Sequence, residues 1–390
     1  MSVVAVGDRF VPARLLGGEF AEAAASAAIQ ASIREVDLPY PSARTVPLPS
    51  VAGRPIRAFW EDRESIEARL DEDDVDRTIR EYTGPVDGLA PLVDDADVLL
   101  LHTAPVSRNT IAAGRRLSVV GTVRTGPVNV NIAALSERGI PLINTPGRNA
   151  QAVAEFVAGA LIAHLRHIVA GNADLREGRW ALYPWSAVNA GFELSGKTCG
   201  VIGFGRVGRA FAPIAHGLGM RLLVSDPFVP ESDVRSAGGE LVDIERLLGE
   251  ADVVVLMARL NDTNRHLIDA AALDRMKNDA ILVNTARSEL VDTAALVDAL
   301  RTGRIGGAIV DVLDQEPPLS GDGLLDAPNV LLTPHIAGAT KDTVRRGARM
   351  LADAVVTYLS EGRLVNCLNA TAIRDAADRA APAKPRHAEA

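Results

Sequence analysis

Three apolar, strand-like runs in the second half of the chain each end in an ionisable side chain. ILVNTA precedes Arg287, AIVDVLDQ precedes Glu316, and VLLTP precedes His335. Arginine offers a planar fork of donors to a carboxylate, histidine exchanges protons near neutral pH, and a neighbouring carboxylate favours the imidazolium form. Alone, each residue is more typical of a surface salt bridge, a solvated turn or a cap. Together, at consecutive strand ends and behind the dinucleotide motif described next, they predict proton transfer at the C2 oxygen of a small 2-hydroxy or 2-keto acid.

A glycine-rich turn stands upstream of these residues. Gly203, Gly205 and Gly208 form a GxGxxG pattern between the predicted strand TCGVI and a predicted helix from Arg209 to Leu218. Such triplets also occur in structural turns, but between strand and helix they let the backbone approach a pyrophosphate at the helix N-terminus. Asp226 closes the next predicted strand, where a carboxylate binds the ribose diol and repels a 2′-phosphate. The pattern predicts a dinucleotide site that prefers NAD to NADP.

The elements that must position these residues alternate between strand and helix. From about residue 118, β-branched runs such as SVVGTV, TCGVIG and DVVVLM are separated by helical patterns, which is typical of a parallel sheet. The segment Ala150–Val169 is apolar nearly all round and predicts a buried helix or an interface helix. Ligands of open α/β sheets bind beyond the carboxyl ends of the strands. We therefore expect the ionisable residues at one edge of the sheet.

The mid-chain position of the glycine turn predicts an inserted domain. We predict an NAD-binding Rossmann domain, a doubly wound parallel sheet, over residues 116–333. It is inserted into a smaller substrate domain formed by residues 1–115 and 334–365. Residues 366–390 are rich in Ala, Asp, Arg, Lys and Pro and are expected to form a disordered tail. The charge-rich stretch Glu61–Asp76 predicts a solvated helix with its loops.

Composition and charge narrow the class of protein. The 390 residues are 47% hydrophobic and 23% charged, which is ordinary for a two-domain globular protein. A net charge of −9, with acidic and basic residues intermixed, speaks against a nucleic-acid partner. Cys199 and Cys367 are the only cysteines, so no disulfide framework is expected, and nothing has metal-ligand spacing. Because neither a signal peptide nor a membrane-length apolar run is visible, we expect a cytoplasmic protein without a membrane partner.

Several stretches of the chain resemble one family of enzymes. VIGFGRVGRAF, MKNDAILVNTARSELVDTAAL, GAIVDVLDQEPP and NVLLTPHIAGAT are similar to the D-isomer-specific 2-hydroxyacid dehydrogenases, and GIPLINTPGRNAQAVAEF resembles the entry to the family's long interdomain helix. This family includes D-3-phosphoglycerate dehydrogenase, glyoxylate reductase and the C-terminal-binding-protein corepressors. The resemblance, over roughly residues 118–345, implies a Rossmann-type domain inserted into a flavodoxin-like α/β substrate domain. It also implies a homodimer built around the long helix.

The resemblance further implies roles for individual residues. The catalytic set is Arg287, Glu316 and His335. The predicted contacts to NAD include the three glycines of the turn. The full set is Gly203, Gly205, Arg206, Val207, Gly208, Asp226, Thr285, Ala286, Arg287, Asp311, His335 and Gly338. The candidate substrate contacts are Arg124, Thr125, Gly126 and, again, Arg287.

Two short regions depart from the family pattern. Where the family often has a Gly-rich turn before Asn-Val-Asp, this chain reads RTGPVNVN, from Arg124 to Asn131. The substrate is therefore left open among a phosphorylated acid, a sugar acid and glyoxylate. Met257-Ala258-Arg259 stands in place of the usual His-x-Pro, and Arg259 is interpreted either as an exposed loop residue or as a contact to a cofactor or substrate anion.

Two classes of function remain open. An NAD-dependent D-2-hydroxyacid dehydrogenase is favoured because all three catalytic positions are occupied and no added interaction segment is visible. The alternative is an NAD(H)-sensing binding protein similar to the corepressors, which keep the fold and much of the site. Formate dehydrogenase is a related possibility, but that family usually has Gln at the position of Glu316.

Overall fold

The chain folds into two compact units, each with its own parallel sheet. The computed structural model describes residues 1–8, 10–38, 79, 86–187 and 189–380, with only the backbone for 376–380. Among these residues, unit 1 comprises those up to Arg148 and those from Lys341 onward, whereas unit 2 runs from Asn149 to Thr340. The predicted solvated helix within Glu61–Asp76 lies outside the described residues.

Unit 1 is built on a five-stranded sheet with the order β2-β1-β3-β4-β5. Its strands are β1 (Ser2–Gly7), β2 (Ser32–Asp37), β3 (Val98–Leu101), β4 (Val119–Thr122) and β5 (Leu142–Ile143). All neighbouring strands run parallel. This is the flavodoxin-like order, in which the winding direction reverses between β1 and β3. The predicted flavodoxin-like α/β fold of this domain is thereby confirmed.

Helices cover both faces of this sheet. They are α1 (Ala13–Ser26), α2 (Ala90–Val93), α3 (Arg108–Ala113), α4 (Ile132–Glu137), and, after unit 2, α12 (Lys341–Glu361) and α13 (Ala370–Ala380). Successive side chains of β1 point to opposite faces. Val3 packs in a core cluster with Phe20 of α1 and Leu351 of α12, whereas Val4 packs in a second cluster with Leu135 of α4. The strands β1, β3 and β4 are therefore apolar on both sides and read as continuous apolar runs, whereas the edge strand β2 (SIREVD) is largely exposed.

The end of the described chain differs from the prediction of a disordered tail over residues 366–390. Residues 370–380 form α13, and alanine and arginine are strong helix formers. Asn369, just before this helix, ties it to β5. Its side-chain oxygen accepts a hydrogen bond from the Leu142 N–H at 2.8 Å, and its amide donates to the Ile140 carbonyl at 3.0 Å. Composition alone did not reveal this anchor.

The boundaries between the units also differ from those predicted at 115/116 and 333/334. β4 pairs with β3, and β5 pairs with β4, so both strands belong to unit 1. The units divide instead after Arg148 and again after Thr340. The change of sequence texture near residue 118 misled the prediction because both units consist of parallel strands alternating with helices.

Unit 2 contains a seven-stranded parallel sheet with the order β12-β11-β10-β9-β6-β7-β8. Its strands are β6 (Thr198–Ile202), β7 (Arg221–Ser225), β8 (Glu240–Leu241), β9 (Val253–Leu256), β10 (Ile281–Asn284), β11 (Gly307–Val310) and β12 (Val330–Leu332). Its helices are α5 (Ala150–Leu165), α6 (Ile168–Arg176), α7 (Arg206–Gly217), α8 (Glu231–Ser236), α9 (Ile244–Glu250), α10 (Ala270–Arg275) and α11 (Thr293–Arg301). The winding reverses between β6 and β9, as in a Rossmann-type domain. The predicted fold class is confirmed for this unit as well.

The apolar segment Ala150–Val169, predicted to be a single helix, is broken. His167 has a φ of +51°, and α5 and α6 meet there at an angle of 59°. The inner face of α5 is buried, with Ala154, Val157 and Leu161 fully covered, whereas α6 buries none of its residues. Among the described residues, no single helix is both long enough and apolar enough to cross a membrane. The two helices α5 and α6, taken as one bent segment, meet these criteria of length and composition.

Candidate active site

The glycine turn of unit 2 lies at the carboxyl end of β6, beside the point where the winding reverses. Gly203 has a φ of +93°, and a Cβ there would lie 2.4 Å from the Ala258 nitrogen. A Cβ at Gly208 would lie 2.8 Å from the Gly203 carbonyl oxygen. Both positions therefore require glycine for the tight turn and for packing helix on strand.

Gly205 is different, because a Cβ there would meet nothing of the described chain within 4 Å. It is also the N-cap of α7 and makes no side-chain cap, which leaves the first N–H groups of the helix for another acceptor. A glycine in open space at a helix N-terminus fits the close approach of a pyrophosphate. Arg206 and Val207, two of the predicted NAD contacts, form the first turn of this helix.

Asp226 follows β7 and stands next to the same turn. One carboxylate oxygen accepts a hydrogen bond from the Phe204 N–H at 2.7 Å, and the other accepts one from the Phe228 N–H at 2.8 Å. Each oxygen keeps a lone pair for a ribose hydroxyl. At the end of β10, the Thr285 hydroxyl is buried without a hydrogen-bond partner among the described residues. Such an orphaned polar atom fits a bound partner, so this edge of the sheet suits a nicotinamide dinucleotide.

The predicted proton donor and the carboxylate predicted to stabilise its charged form are in direct contact. Nδ1 of His335 lies 2.7 Å from Oε2 of Glu316, and Oε1 of Glu316 accepts a hydrogen bond from the Leu313 N–H at 3.0 Å. The histidine side chain is 40% exposed and the glutamate 20%. The pairing occupies Nδ1 and leaves Nε2 as the ring nitrogen for a reactant.

The loop that carries His335 is held by Asp311, which follows β11 and is 1% exposed. Its carboxylate accepts hydrogen bonds from the Thr333 hydroxyl at 2.6 Å, the Ile336 N–H at 2.8 Å and the Ala337 N–H at 2.9 Å. His335 has a φ of +54°, which non-glycine residues seldom adopt. Asp311 therefore acts as a positioning residue for the histidine loop, and its contact with NAD stays a prediction.

Arg287 follows β10 at the same edge and is exposed. Asn284 shapes its turn, because the asparagine amide donates to the Arg287 carbonyl at 2.8 Å and its oxygen accepts from the Ala286 N–H at 3.1 Å. The guanidinium itself donates to the Ala286 carbonyl at 2.6 Å. Arg287 is close enough to act on the charge of His335. The structure thus brings the three predicted catalytic residues together beyond β10, β11 and β12.

The pKa of His335 reflects several opposing effects. Burial lowers it, but the hydrogen bond and charge of Glu316, together with the charge of Asp311, outweigh burial and the positive charge of Arg287. The pKa of His335 is therefore raised above its usual value. The imidazolium form persists to higher pH, which suits a group that must donate a proton.

Two further residues of unit 2, Gly338 and Arg259, were singled out from the sequence and lie at different places in the unit. Gly338 packs against Asn149, whose amide nitrogen would lie 2.7 Å from a Cβ at that glycine. Arg259 follows β9 and is exposed, and its carbonyl accepts a hydrogen bond from the Asn264 amide at 2.8 Å. Exposure at a strand end is compatible with both interpretations of Arg259, so its role stays a prediction.

The candidate substrate residues Arg124, Thr125 and Gly126 belong to unit 1, directly after β4. The Thr125 hydroxyl donates to the Thr145 carbonyl at 3.3 Å, and the Asn144 amide donates to the Thr125 carbonyl at 2.7 Å. A Cβ at Gly126 would meet nothing within 4 Å. These residues therefore form a turn at the carboxyl edge of the unit 1 sheet that is fastened to the loop after β5.

Sequence analysis missed a second group of ionisable residues at this edge of unit 1. Asp8 follows β1 and His102 follows β3, and the Asp8 carboxylate lies 2.8 Å from Nδ1 of His102. Arg148 acts on the charge of both. The signal that pointed to His335 was also present here, because VVAVGD and VLLLH are apolar runs that end in an ionisable residue.

Comparison with known proteins agrees with this geometry. The family model for the NAD binding domain of the D-isomer specific 2-hydroxyacid dehydrogenases matches residues 158–337. Glyoxylate reductase of Korarchaeum cryptofilum is 38% identical over 68% of this chain and 80% of that protein. Hydroxypyruvate reductase of Thermotoga maritima is 35% identical, covering 70% of this chain and 88% of its own. The crystal structure of the TT0316 protein from Thermus thermophilus has a TM-score of 0.68 at 28% identity, covering 94% of this chain and 100% of that one.

The chain therefore belongs to the D-isomer specific 2-hydroxyacid dehydrogenase family. It is an oxidoreductase of the class that acts on 2-hydroxy acids with a nicotinamide dinucleotide as cofactor.

Proposed function

We propose that the protein interconverts a small 2-keto acid and its D-2-hydroxy acid, with NAD(H) as the cofactor. The observation that carries this proposal is the 2.7 Å contact between His335 and Glu316, with Arg287 at the same edge of the sheet. The relatives named above are reductases of glyoxylate and hydroxypyruvate, and both of these compounds are small 2-keto acids.

The residues divide the work of the reaction between them. Bound NADH supplies the hydride that adds to C2 of the keto acid. Arg287 binds the substrate carboxylate and the C2 oxygen, and its charge opposes the negative charge that develops there. His335, as imidazolium, donates the proton from Nε2 to that oxygen, so that a hydroxyl forms. Glu316 stabilises the imidazolium before the transfer and orients the ring through Nδ1.

The substrate itself is tested by a panel of 2-keto acids. Purified protein is mixed with NADH and with glyoxylate, hydroxypyruvate, phosphohydroxypyruvate or the 2-keto form of a sugar acid, and the oxidation of NADH is followed by its absorbance. We expect turnover of at least one, with the D-enantiomer as the product where C2 is a stereocentre. If NADH binds tightly but no acid is reduced, the alternative of an NAD(H)-sensing protein replaces this proposal.

We also propose that the protein prefers NAD(H) to NADP(H). The Asp226 carboxylate stands beside the glycine turn, and like charges brought together without water cost several kcal/mol. Calorimetry should show tighter binding of NADH than of NADPH, and Asp226→Ser should narrow the difference. Equal or tighter binding of NADPH by the native protein would rule out this preference and point to a nearby cation such as Arg259.

Exposed apolar side chains after α5 support a homodimer. Val169, Leu175, Trp180, Leu182 and Trp185 are each more than half exposed in the single chain, and clustered apolar residues of this kind mark protein interfaces. Light scattering should give twice the chain mass, and a charged substitution such as Leu182→Asp should shift the mass toward the monomer. An unchanged mass for this variant would place the interface elsewhere. A cytoplasmic location remains a prediction from the sequence.

A further inference from the structure

We propose that Arg148 and Arg124 form an anion-binding site at the carboxyl edge of the unit 1 sheet, which takes the carboxylate or phosphate group of a small organic acid. This site is additional to Arg287, and its existence does not depend on the proposed reaction. Only the assignment of the bound anion to the substrate rests on that reaction.

Two loops hold the arginines on one edge of the sheet. Arg124 follows β4, and Arg148 lies a few residues after β5. The Thr145 hydroxyl donates to the Val123 carbonyl at 2.8 Å, and the Asn144 amide donates to the Thr125 carbonyl at 2.7 Å. These hydrogen bonds fasten the loop after β5 to the loop after β4, so the two cations share a fixed scaffold.

A slot in helix α12 makes room for the Arg148 side chain. A Cβ at Gly347 would lie 2.8 Å from Cδ of Arg148 and 3.7 Å from Cβ of Val123. The Arg148 stem therefore passes between α12 and the end of β4, where a larger residue at 347 would displace it. Arg346 fixes the backbone at this point by donating to the Arg148 carbonyl at 2.7 Å.

The charge of Arg148 is not balanced within the described part of the chain. Its guanidinium makes no hydrogen bond to the described residues, and Asp8 is the one carboxylate among them that acts on its charge. That carboxylate already accepts hydrogen bonds from His102, Phe10 and Val11. Burial, followed by the charge of Arg124, lowers the pKa of Arg148 to about 10. A buried cation without a hydrogen-bonded partner is costly, and an anion bound to Arg148 would offset that cost.

The topology of unit 1 favours a ligand at this place. In open parallel sheets, ligands bind beyond the carboxyl ends of the strands where the winding reverses, and in unit 1 that point lies between β1 and β3. Asp8 and His102 follow these two strands. Burial lowers the pKa of His102, the Asp8 carboxylate raises it, and the charges of Arg148 and Arg124 lower it further. The net direction is downward, so the arginines provide the positive charge of the site at neutral pH.

The bound anion has two possible sources with the same chemistry. It is either a second acidic group on the substrate or a separate small anion that regulates the enzyme. Calorimetric titration of the NADH-free protein with inorganic phosphate and with malonate tests the site itself. Arg148→Gln should weaken binding by roughly ten- to a hundredfold, the effect of a lost charge-assisted hydrogen bond.

Two further variants separate this site from general electrostatics and from misfolding. Gly347→Ala should weaken anion binding although every charge remains, because the new methyl group displaces Arg148. Arg115→Gln removes the same charge at the opposite, amino end of β4, where Arg115 is exposed and paired with Asp94, and should bind phosphate as the native protein does. Circular dichroism and the thermal unfolding profile of each variant verify that the fold is intact.

Kinetics then distinguish the two sources of the anion. If it belongs to the substrate, phosphate competes with the keto acid, and Arg148→Gln lowers the ratio of kcat/KM for phosphohydroxypyruvate to that for glyoxylate by about ten- to a hundredfold. If it is a separate ligand, phosphate changes the rate without competing. Absence of all turnover would defeat the proposed function but leave the binding test intact. The anion site is refuted if the native protein binds neither phosphate nor malonate at millimolar concentration, or if Arg115→Gln and Arg148→Gln weaken binding equally.

Discussion

Each of the two units carries a carboxylate–histidine pair at the carboxyl edge of its sheet, and the two pairs behave in opposite ways. Asp8 contacts His102 at 2.8 Å, and Glu316 contacts His335 at 2.7 Å, in both cases through Nδ1. The pKa of His102 is nevertheless lowered, whereas the pKa of His335 is raised.

Burial and the surrounding charges account for this difference. The His102 side chain is 11% exposed and that of His335 is 40% exposed. Burial lowers both pKa values, but around His102 the charges of Arg148 and Arg124 add to its effect. Around His335, Asp311 adds to the carboxylate and a single arginine opposes it. A carboxylate contact alone therefore does not decide whether a histidine is charged, since desolvation and the other charges select the outcome.

The comparison is tested most strongly by removing the histidine of unit 2. His335→Ala should lower turnover by about two to four orders of magnitude, the usual contribution of general acid–base catalysis, while NADH binding persists. Steady-state kinetics on the best keto acid and calorimetry with NADH measure the two effects. His216→Ala serves as the control, because His216 is exposed on α7 and its ring hydrogen-bonds the Ala237 carbonyl, away from the strand ends that carry His335. Native turnover in His335→Ala would show that the pair has no chemical role.

Removal of the arginine beside that pair should have the next largest effect. Arg287→Ala should lower kcat/KM by roughly ten- to a hundredfold, the effect of a lost charge-assisted hydrogen bond, with changes in both KM and kcat because the cation binds substrate and transition state. Arg301→Ala, at the exposed end of α11, removes the same charge from the same unit. If both variants behave alike, the loss reflects net charge rather than substrate binding.

Glu316→Gln keeps the shape of the pair in unit 2 but removes its charge. Because Glu316 raises the pKa of His335, the variant should lose the imidazolium at lower pH. The alkaline limb of the reductive kcat/KM profile should therefore move to lower pH, with activity retained on the acidic side. A profile with an unmoved alkaline limb would mean that another group titrates there.

The sequence could predict the unit 2 site because its residues stand in recognisable local patterns. The glycine turn and the strand ends that precede Arg287, Glu316 and His335 follow from backbone geometry that each short segment carries in itself. The role of Asp311 as a positioning residue depends on bonds to residues more than twenty positions away, and no local pattern records them.

Unit 1 was harder to predict for a related reason. Its sheet is assembled from both ends of the chain, and Arg148 receives its slot from Gly347, nearly two hundred positions later. The strand ends at Asp8 and His102 carried the same signal as those of unit 2, but no known motif surrounds them. Their contact, and the burial that holds His102 neutral, appear only when the strands are placed side by side.

The smallest expected effect concerns stability. With rising pH, the contribution of His102 to the stability of the fold should increase, whereas that of His335 should decrease. The pKa of His102 is lowered in the folded protein, so its contribution is present above the unfolded-state pKa of about 6.5 and is lost as the pH falls below it. The pKa of His335 is raised, so its contribution is present below that value and is lost as the pH rises through the folded-state pKa. The two pairs should thus act on opposite limbs of the pH–stability profile.

His102→Asn tests the acidic limb, because an asparagine amide can take the place of Nδ1 and still donate to Asp8 but cannot gain a proton. Between about pH 7 and pH 5 the native Tm should fall more steeply than the Tm of the variant, with a divergence of a few degrees, since about 1 kcal/mol corresponds to roughly 2–4 °C in a unit of this size. Below about pH 4 both proteins should lose stability, because the unfolded chain takes up a proton at Asp8 whereas the pKa of Asp8 in the fold is held well below its usual value. The matched variant His335→Asn should leave the acidic slope in place and flatten the alkaline one. Parallel slopes for native protein and His102→Asn down to pH 5 would mean that folding does not lower the pKa of His102, and the contrast between the two pairs would then fail.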